Sequence, residues 1–145
     1  MKVAHNVKVN VFCHEGEDDC AILGKLLELF PFEIKKQLKK TRTTSHDDRH
    51  IDIFEVELIK DKEINAFFEF LVSKLSSEQK ELLIKQINTR LDAELNFFLR
   101  LDKSKLLGGE YVITDSGNCF HVKILLAAYP KKREAGVELV KGIFE

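Results

Sequence analysis

The feature that most constrains the fold of this chain is the strict alternation of apolar and polar residues between Ala93 and Asp102. One face of this extended segment carries Ala93, Leu95, Phe97, Leu99 and Leu101. The other face carries Glu94, Asn96, Phe98, Arg100 and Asp102. A period of two residues predicts a β-strand with one buried face. The same pattern leaves an aromatic ring and a guanidinium together on the wetter face, at Phe98 and Arg100.

Other strands are predicted by the same reasoning. Valines alternate with Lys8 and Asn10 in residues 3–14, which indicates a half-buried strand. Residues 51–59 predict a second strand that follows a polar turn. For residues 35–44 a helix and a strand stay open, because Ile34 and Leu38 fit both spacings equally well. The apolar phase of the second strand slips near Ile53–Phe54, and this slip predicts a β-bulge.

Helices are predicted where apolar residues recur every three or four positions. Such runs follow Asp18 or Asp19, Asp61 and Ser76, whose side-chain oxygens can cap a helix N-terminus. Residues 97–133 indicate strand, turn, strand, turn and strand, followed by a helix with Pro130 at its first position.

These elements predict one domain and a mixed fold. A chain of 145 residues is long enough to bury a sizeable core in a single domain, residues 1–145. The mixture of strands and helices predicts an α+β fold. We expect a two-layer α/β sandwich in which an antiparallel or mixed sheet carries helices mainly on one face.

Charge is distributed unevenly along the chain, although the net charge is only −1. Residues 35–49 carry six cations and two anions, and residues 99–133 carry seven cations and three anions. Residues 15–33 carry one cation and six anions. Two basic blocks set among acidic segments are typical of a single basic face, which attracts polyphosphate chains even on a nearly neutral protein.

A cluster of cations is predicted at the start of the last helix. Lys131, Lys132 and Arg133 follow Pro130 and would lie in the first helical turn. Cations at this end of the helix dipole are destabilising by about 0.3–1 kcal/mol each. A local choice that opposes the fold is typical of a functional site, and the free N–H groups of a helix start bind anions. The alternative is a solvated basic turn.

A second group of candidates depends on how two strands pair. Phe98 and Arg100 share one face of their strand, and His121 and Lys123 share one face of another. If these strands are neighbours with helices behind them, the open sheet face presents groups that stack on RNA bases and hold phosphates. In the alternative, helices or a second subunit cover this face, and Arg100 pairs with Asp102 or another neighbour.

The sequence therefore predicts a non-catalytic RNA-binding protein that contacts single-stranded or structured RNA. The phosphate contacts expected first are Arg100, Lys103, Lys131, Lys132 and Arg133. The further RNA-binding candidates are Phe98, Lys105, His121, Lys123 and His46. The alternative function is a protein-interaction module, either a homodimer or a subunit of a larger complex, whose basic residues pair with an acidic partner surface.

These segments also resemble a known family. FLRLDK at residues 98–103, FHVK at 120–123 and AAYPKKRE at 127–134 resemble the archaeal RNA-binding domain family often labelled "predicted exosome subunit". The resemblance implies a fold similar to the ribosomal protein that binds 5S ribosomal RNA, and a role in RNA processing or ribosome-related assemblies. It also favours a strand over residues 35–44, which would form an antiparallel ribbon with residues 51–59. The family usually has a Gly-His-His-Gly-Asn turn where this chain has residues 45–49, so only His46 carries over.

Neither an enzyme nor a cofactor is expected. The sequence has no glycine-rich phosphate loop, nucleophile elbow or zinc-protease motif. The best candidate metal site is the cluster of His46, Asp47, Asp48 and His50. Adjacent carboxylates in a strand-like context point apart, however, which favours a solvated turn.

The expected location is the cytoplasm, without membrane contact. No apolar run approaches the length of about 20 residues that a membrane-spanning helix needs. The N-terminal residues also lack the apolar core of a signal peptide.

Overall fold

Five strands and six helices make up residues 2–145, the part of the chain that the computed structural model describes. The strands are β1 (Ala4–His14), β2 (Leu38–Thr44), β3 (His50–Leu58), β4 (Asn96–Asp102) and β5 (Cys119–Leu126). The helices are α1 (Asp19–Glu28), α2 (Asp61–Lys74), α3 (Ser77–Lys85), α4 (Ile87–Arg90), α5 (Lys103–Leu107) and α6 (Arg133–Phe144). This composition confirms the predicted α+β fold.

The strands form one sheet in the order β2-β3-β1-β5-β4, and every neighbouring pair is antiparallel. The first strand in sequence, β1, therefore lies at the centre. Its residue Val9 pairs with Val56 of β3 on one side and with Val122 of β5 on the other. The predicted strand with Phe98 and Arg100 is the edge strand β4.

One face of the sheet is buried against the helices. Its core residues alternate along the strands and include Val7, Val9, Val11, Phe54, Val56, Leu58, Phe97, Leu99, Leu101, Phe120, Val122 and Ile124. The helices contribute Ile22, Leu26, Phe67, Leu71, Leu83 and Val140 to the same core. Phe97 packs on Phe144 of α6 with their ring centroids 6.0 Å apart. Burying a side chain of this size contributes about 1.5–3 kcal/mol to stability. The core therefore lies on one side of the sheet, as predicted.

The predicted bulge in β3 is wrong. This strand pairs in unbroken register with β1 from Leu58 to Ile51. The apolar phase only appears to slip, because Ile51 and Ile53 lie opposite His14 and Phe12 on the face away from the helices. β3 thus carries apolar residues on both of its faces.

The segment between β4 and β5 also differs from the prediction. The expected turn after β4 is the short helix α5, which Asp102 caps by accepting a hydrogen bond from the Lys105 N–H at 2.9 Å. The expected middle strand is reduced to one isolated bridge between Ile113 and Leu101. Residues 108–118 therefore form a loop at the end of the sheet.

Two of the predicted helix starts are correct and two are wrong. Asp18 and Ser76 accept the capping N–H bonds of α1 and α3. For α2 the N-cap position is Lys60, without a side-chain hydrogen bond, and Asp61 is the first helical residue. The last helix begins at Arg133 rather than at Pro130, because Lys132 is extended with φ −132° and ψ 153°.

Candidate functional site

The face of the sheet away from the helices brings two of the predicted strands together. β4 and β5 are neighbours, with Phe98 opposite Lys123 and Arg100 opposite His121. The rings of Phe98 and His121 are in contact, with centroids 5.7 Å apart. All four side chains are half-buried. The expected juxtaposition of these strands is therefore confirmed, and the alternative in which helices cover this face is wrong for residues 2–145.

The surface continues from β5 onto β1. Lys8 lies opposite Lys123, and Asn10 lies opposite His121. Phe12 follows on the same face and is 46% exposed, which is unusual for a large aromatic side chain. We call this surface the open face and define it by Lys8, Asn10, Phe12, Phe98, Arg100, His121 and Lys123.

The cations of the open face form no direct ion pair within the described residues. Across residues 2–145, no carboxylate lies within 4.0 Å of the charged nitrogens of Lys8, Arg100 or Lys123. Asp102, which could have paired with Arg100, instead caps α5. Carboxylates do lie nearby: Glu57 is opposite Lys8 in the sheet, and the charge of Lys123 helps to lower the pKa of Asp92. Cations without a direct ion pair still attract anions more strongly than paired ones do.

His121 lies between these cations. Burial lowers the pKa of its imidazole, and the charges of Arg100 and Lys123 lower it further. His121 is therefore neutral at neutral pH, with one nitrogen that donates a hydrogen bond and one that accepts. A neutral imidazole next to Phe98 can both stack and form directional hydrogen bonds.

Lys103 is not on the surface, contrary to the prediction that it contacts a phosphate. It is only 3% exposed, and its ammonium donates hydrogen bonds to the Phe12 carbonyl at 2.5 Å and to the Glu17 carboxylate at 3.1 Å. Burial opposes the charge of Glu17, but hydrogen bonds from the His14 N–H and from Lys103 outweigh it and lower the pKa of this carboxyl. Lys103 therefore holds the fold together and is unavailable to an external anion.

Arg133 is also engaged within the protein. Its guanidinium donates hydrogen bonds to the carbonyls of Leu91 at 3.0 Å and Asn88 at 2.9 Å. Lys131 and Lys132 precede α6, are exposed and form no salt bridge within the described residues. These two lysines therefore stay candidates, although not as part of a helical first turn.

The remaining candidates lie at the other end of the sheet. Lys105 is exposed on α5, with its ammonium 4.0 Å from the Glu110 carboxylate. His46 is exposed in the turn between β2 and β3. Since β2 and β4 are opposite edges of the sheet, about 19 Å separates them at the usual strand spacing. His46 is thus not brought together with Arg100.

The candidate metal ligands around His46 do not form a convergent group among the described residues. Within residues 2–145, the one group of three candidate ligands whose atoms lie within 4.8 Å of one another is Asp18, Asp19 and Cys20, all exposed. Across the same residues, none of the helices is both long and apolar enough to cross a membrane.

The sequence reasoning overlooked the contribution of β1 to the open face. Lys8, Asn10 and Phe12 alternate with buried valines, so the pattern that identified β4 was present here too. What could not be seen was that β1 is the neighbour of β5, because that pairing joins residues far apart in the chain.

A second surface feature lies on the helical side. A groove of about 720 Å³ runs between α2 and α6 and is lined mainly by apolar side chains, including Phe68, Val72, Leu139 and Ile143. Tyr129 at its rim is 97% exposed. This groove is separate from the open face.

The residues of this chain that match known proteins cover nearly the whole sheet. A family model described as "RNA binding" matches residues 6–126. The RNA-binding protein PAB1135 of Pyrococcus abyssi is 30% identical, over 98% of this chain and 94% of that protein. The crystal structure of protein AF2318 from Archaeoglobus fulgidus is similar with a TM-score of 0.86 and 31% identity, covering 98% of this chain and 99% of that one. Mth689 from Methanothermobacter thermautotrophicus has a TM-score of 0.80 and 25% identity, covering 99% of this chain and 100% of that one.

Proposed function

Because this chain belongs to the RNA-binding family whose model spans residues 6–126, we propose that it is a non-catalytic protein that binds RNA on the open face of its sheet. The matched residues include β2 to β5 and β1 from Asn6 onward, and they end before Lys131. The open face therefore lies within the part of the chain that the family shares.

The observation that carries this proposal is the group of cations without direct ion pairs beside half-buried aromatic rings. Arg100 and Lys123 lie on adjacent strands, and Phe98 and His121 occupy the two positions directly across from them. Phosphates contribute most of the affinity for nucleic acid, whereas bases stack on aromatic and guanidinium planes. The open face offers both kinds of contact within two strands.

The basic segment before α6 extends this surface in one direction. Lys131 and Lys132 follow β5 at the end of the sheet where Phe98 and Lys123 lie, whereas Arg100 lies nearer the opposite end. A single strand of RNA lying along β4 and β5 would pass both groups of cations. We propose that these two lysines hold phosphates outside the central contact.

We further propose that the RNA belongs to processing or ribosome-related assemblies. The support is the resemblance of residues 98–103, 120–123 and 127–134 to the archaeal family labelled as an exosome subunit, and the similarity of fold that this resemblance implies to a 5S-RNA-binding ribosomal protein. Co-purification of the tagged protein with its bound RNA, followed by sequencing, tests this assignment.

The direct test of RNA binding is fluorescence anisotropy of a labelled single-stranded RNA at several salt concentrations. Each phosphate contact on a single strand contributes a slope of about −0.7 to the plot of log affinity against log salt. We expect the double substitution Arg100→Gln and Lys123→Gln to weaken binding and to reduce the slope by about 1.4, for two lost contacts.

Lys85→Gln is the control for charge, because it removes an exposed cation from α3 in the helical layer. It should leave both the affinity and the slope unchanged. Equal loss of binding in the control would show that only net charge matters. A double variant that binds like the parent would refute the open face as the binding site.

The competing function is a protein-interaction module that forms a homodimer. The observation in its favour is the apolar groove between α2 and α6, beside which Tyr129 is almost fully exposed and could insert into a second copy. Sedimentation at micromolar concentration tests this function, since a protein that stays monomeric there does not use the groove in this way.

A further inference from the structure

A pocket lies at one end of the open face, where β1 extends beyond its pairing with β5. Its volume is about 340 Å³, and its lining includes Asn10, Phe12, His14, Asn118, Cys119 and His121. Ligand pockets in proteins usually measure about 300–1,000 Å³. This one is at the small end of that range, which suits one small ring system rather than a large ligand.

The pocket exists because two strands separate at this point. The pairing of β1 with β5 ends at Val11 and Phe120. Beyond this last pair, the chain that leads into β5 turns away from β1 at Gly117, whose φ of 84° favours glycine. The Phe12 carbonyl accepts its hydrogen bond from the Lys103 ammonium instead of from a backbone N–H of β5. The lysine therefore closes the bottom of the gap.

The charge beneath the pocket is already neutralised. Lys103 donates to both carboxylate oxygens of Glu17, at 3.1 and 3.3 Å, as well as to the Phe12 carbonyl. An ammonium with three donors has none left for a phosphate. The pocket therefore favours an uncharged ligand, whereas the unpaired cations Arg100 and Lys123 lie outside it on the open face.

The lining suits a flat, polar ring. Phe12 offers an exposed aromatic face on which such a ring can stack. The side-chain amides of Asn10 and Asn118 form no hydrogen bond to any of the described residues, and each amide offers both donors and an acceptor. Neutral His121, opposite Asn10, adds one donor and one acceptor nitrogen. Groups of this kind recognise the edges of unpaired bases.

We infer that this pocket takes up one unpaired base of the bound RNA, which stacks on Phe12 and is hydrogen-bonded by Asn10 and Asn118. The inference rests on the proposed RNA-binding function and adds a site of base discrimination to it. Phosphates on either side of the inserted base reach Arg100, one strand away from His121. The protein thus distinguishes RNA with a free base from a continuous duplex.

The test compares the affinities of short homopolymers of U, A and C with equal length. We expect the parent to prefer one of them over the poorest by about tenfold, since one hydrogen bond to a base edge commonly changes affinity by this much. Asn10→Ala on β1 and Asn118→Ala in the loop before β5 should each reduce this preference to about twofold or less. The salt slope should stay unchanged, because no phosphate contact is lost.

Asn6→Ala is the matched control, because Asn6 lies on the same strand and face as Asn10 but pairs with Leu125, away from the pocket. It should keep the full preference. Two outcomes overturn the inference while RNA binding stands: a parent that binds all homopolymers equally, and Asn10 and Asn118 variants that keep the parent's preference. A parent that binds none of them refutes the proposed function, and the pocket with it.

Discussion

Replacing Lys103 with methionine tests the ion pair beneath the end of β5. Methionine keeps an unbranched apolar stem in the buried space but has no ammonium. The variant leaves the Phe12 carbonyl without its donor and removes the cation that Glu17 faces. We expect a clear loss of stability, because a buried carbonyl and a partly buried carboxylate lose their shared partner at once.

The size of this loss follows from the two contacts. A buried carbonyl without a donor costs about 1–3 kcal/mol. Breaking a fully buried ion pair costs about 3–5 kcal/mol, but the Glu17 side chain is 30% exposed and keeps the His14 N–H at 2.9 Å, so its share is smaller. We therefore expect the free energy of unfolding to fall by about 2–3 kcal/mol, and Tm by about 4–12 °C for a chain of this size.

The assay is urea-induced unfolding followed by far-ultraviolet circular dichroism, since the chain contains no tryptophan for fluorescence. Glu17→Gln and the double variant complete a thermodynamic cycle. We expect a coupling energy of about 1–2 kcal/mol between the two side chains. Additive losses in the cycle, or a Lys103→Met variant within about 0.5 kcal/mol of the parent, would contradict the buried-pair argument.

The same pair makes stability depend on pH. The folded pKa of Glu17 lies below its unfolded value, so its charge stabilises the fold above about pH 4.3, and this contribution is lost as the pH falls through the folded pKa. The stability gap between the parent and Lys103→Met should therefore narrow below that pH. A constant gap across the acid range would show that Glu17 is not the partner that matters.

Two further predictions concern RNA binding. Phosphates favour the imidazolium form of His121, so the pKa of its imidazole, which is low in the free protein, should rise when RNA binds. The affinity for RNA should therefore increase as the pH falls from 8 to 5.5. His121→Gln should show a smaller increase in affinity by anisotropy, and an increase as large as the parent's would contradict this role. Lys132→Glu should weaken RNA binding several-fold with no change in Tm, because the residue is exposed. Lys62→Glu on α2 is the control. Equal RNA affinities of the two variants would remove Lys132 from the site.

Alternation was a reliable guide wherever one face of a strand is buried. It identified β4 and left Phe98 and Arg100 on the open side, because burial of Phe97, Leu99 and Leu101 fixes the phase of the whole strand. The same reasoning failed on β3, where Ile51 and Ile53 lie on the open side, opposite His14 and Phe12 of β1. A pattern with apolar residues on both faces resembles a change of phase when only the sequence is considered.

The positions of individual cations were harder to predict. Lys103 follows Asp102 in a basic stretch and looks like any surface lysine, yet its partner Phe12 is 91 residues away in the sequence. Arg133 likewise binds carbonyls at Leu91 and Asn88, near the end of α4. Long-range partners decide whether a cation is available to RNA, and sequence periodicity carries no information about them.

The central place of β1 has a consequence for synthesis of the protein. β1 and the β2–β3 hairpin leave the ribosome early, but β5 follows about 100 residues behind β1. At about 5–20 residues per second this means a delay of roughly 5–20 s. During that interval, one edge of β1 has unpaired backbone groups and alternating valines, a combination prone to aggregation. Lys8 and Asn10, on the face opposite to the valines, then also protect the chain from aggregation. Their polar side chains make the unpaired edge of β1 a poor template for pairing with strands of other chains.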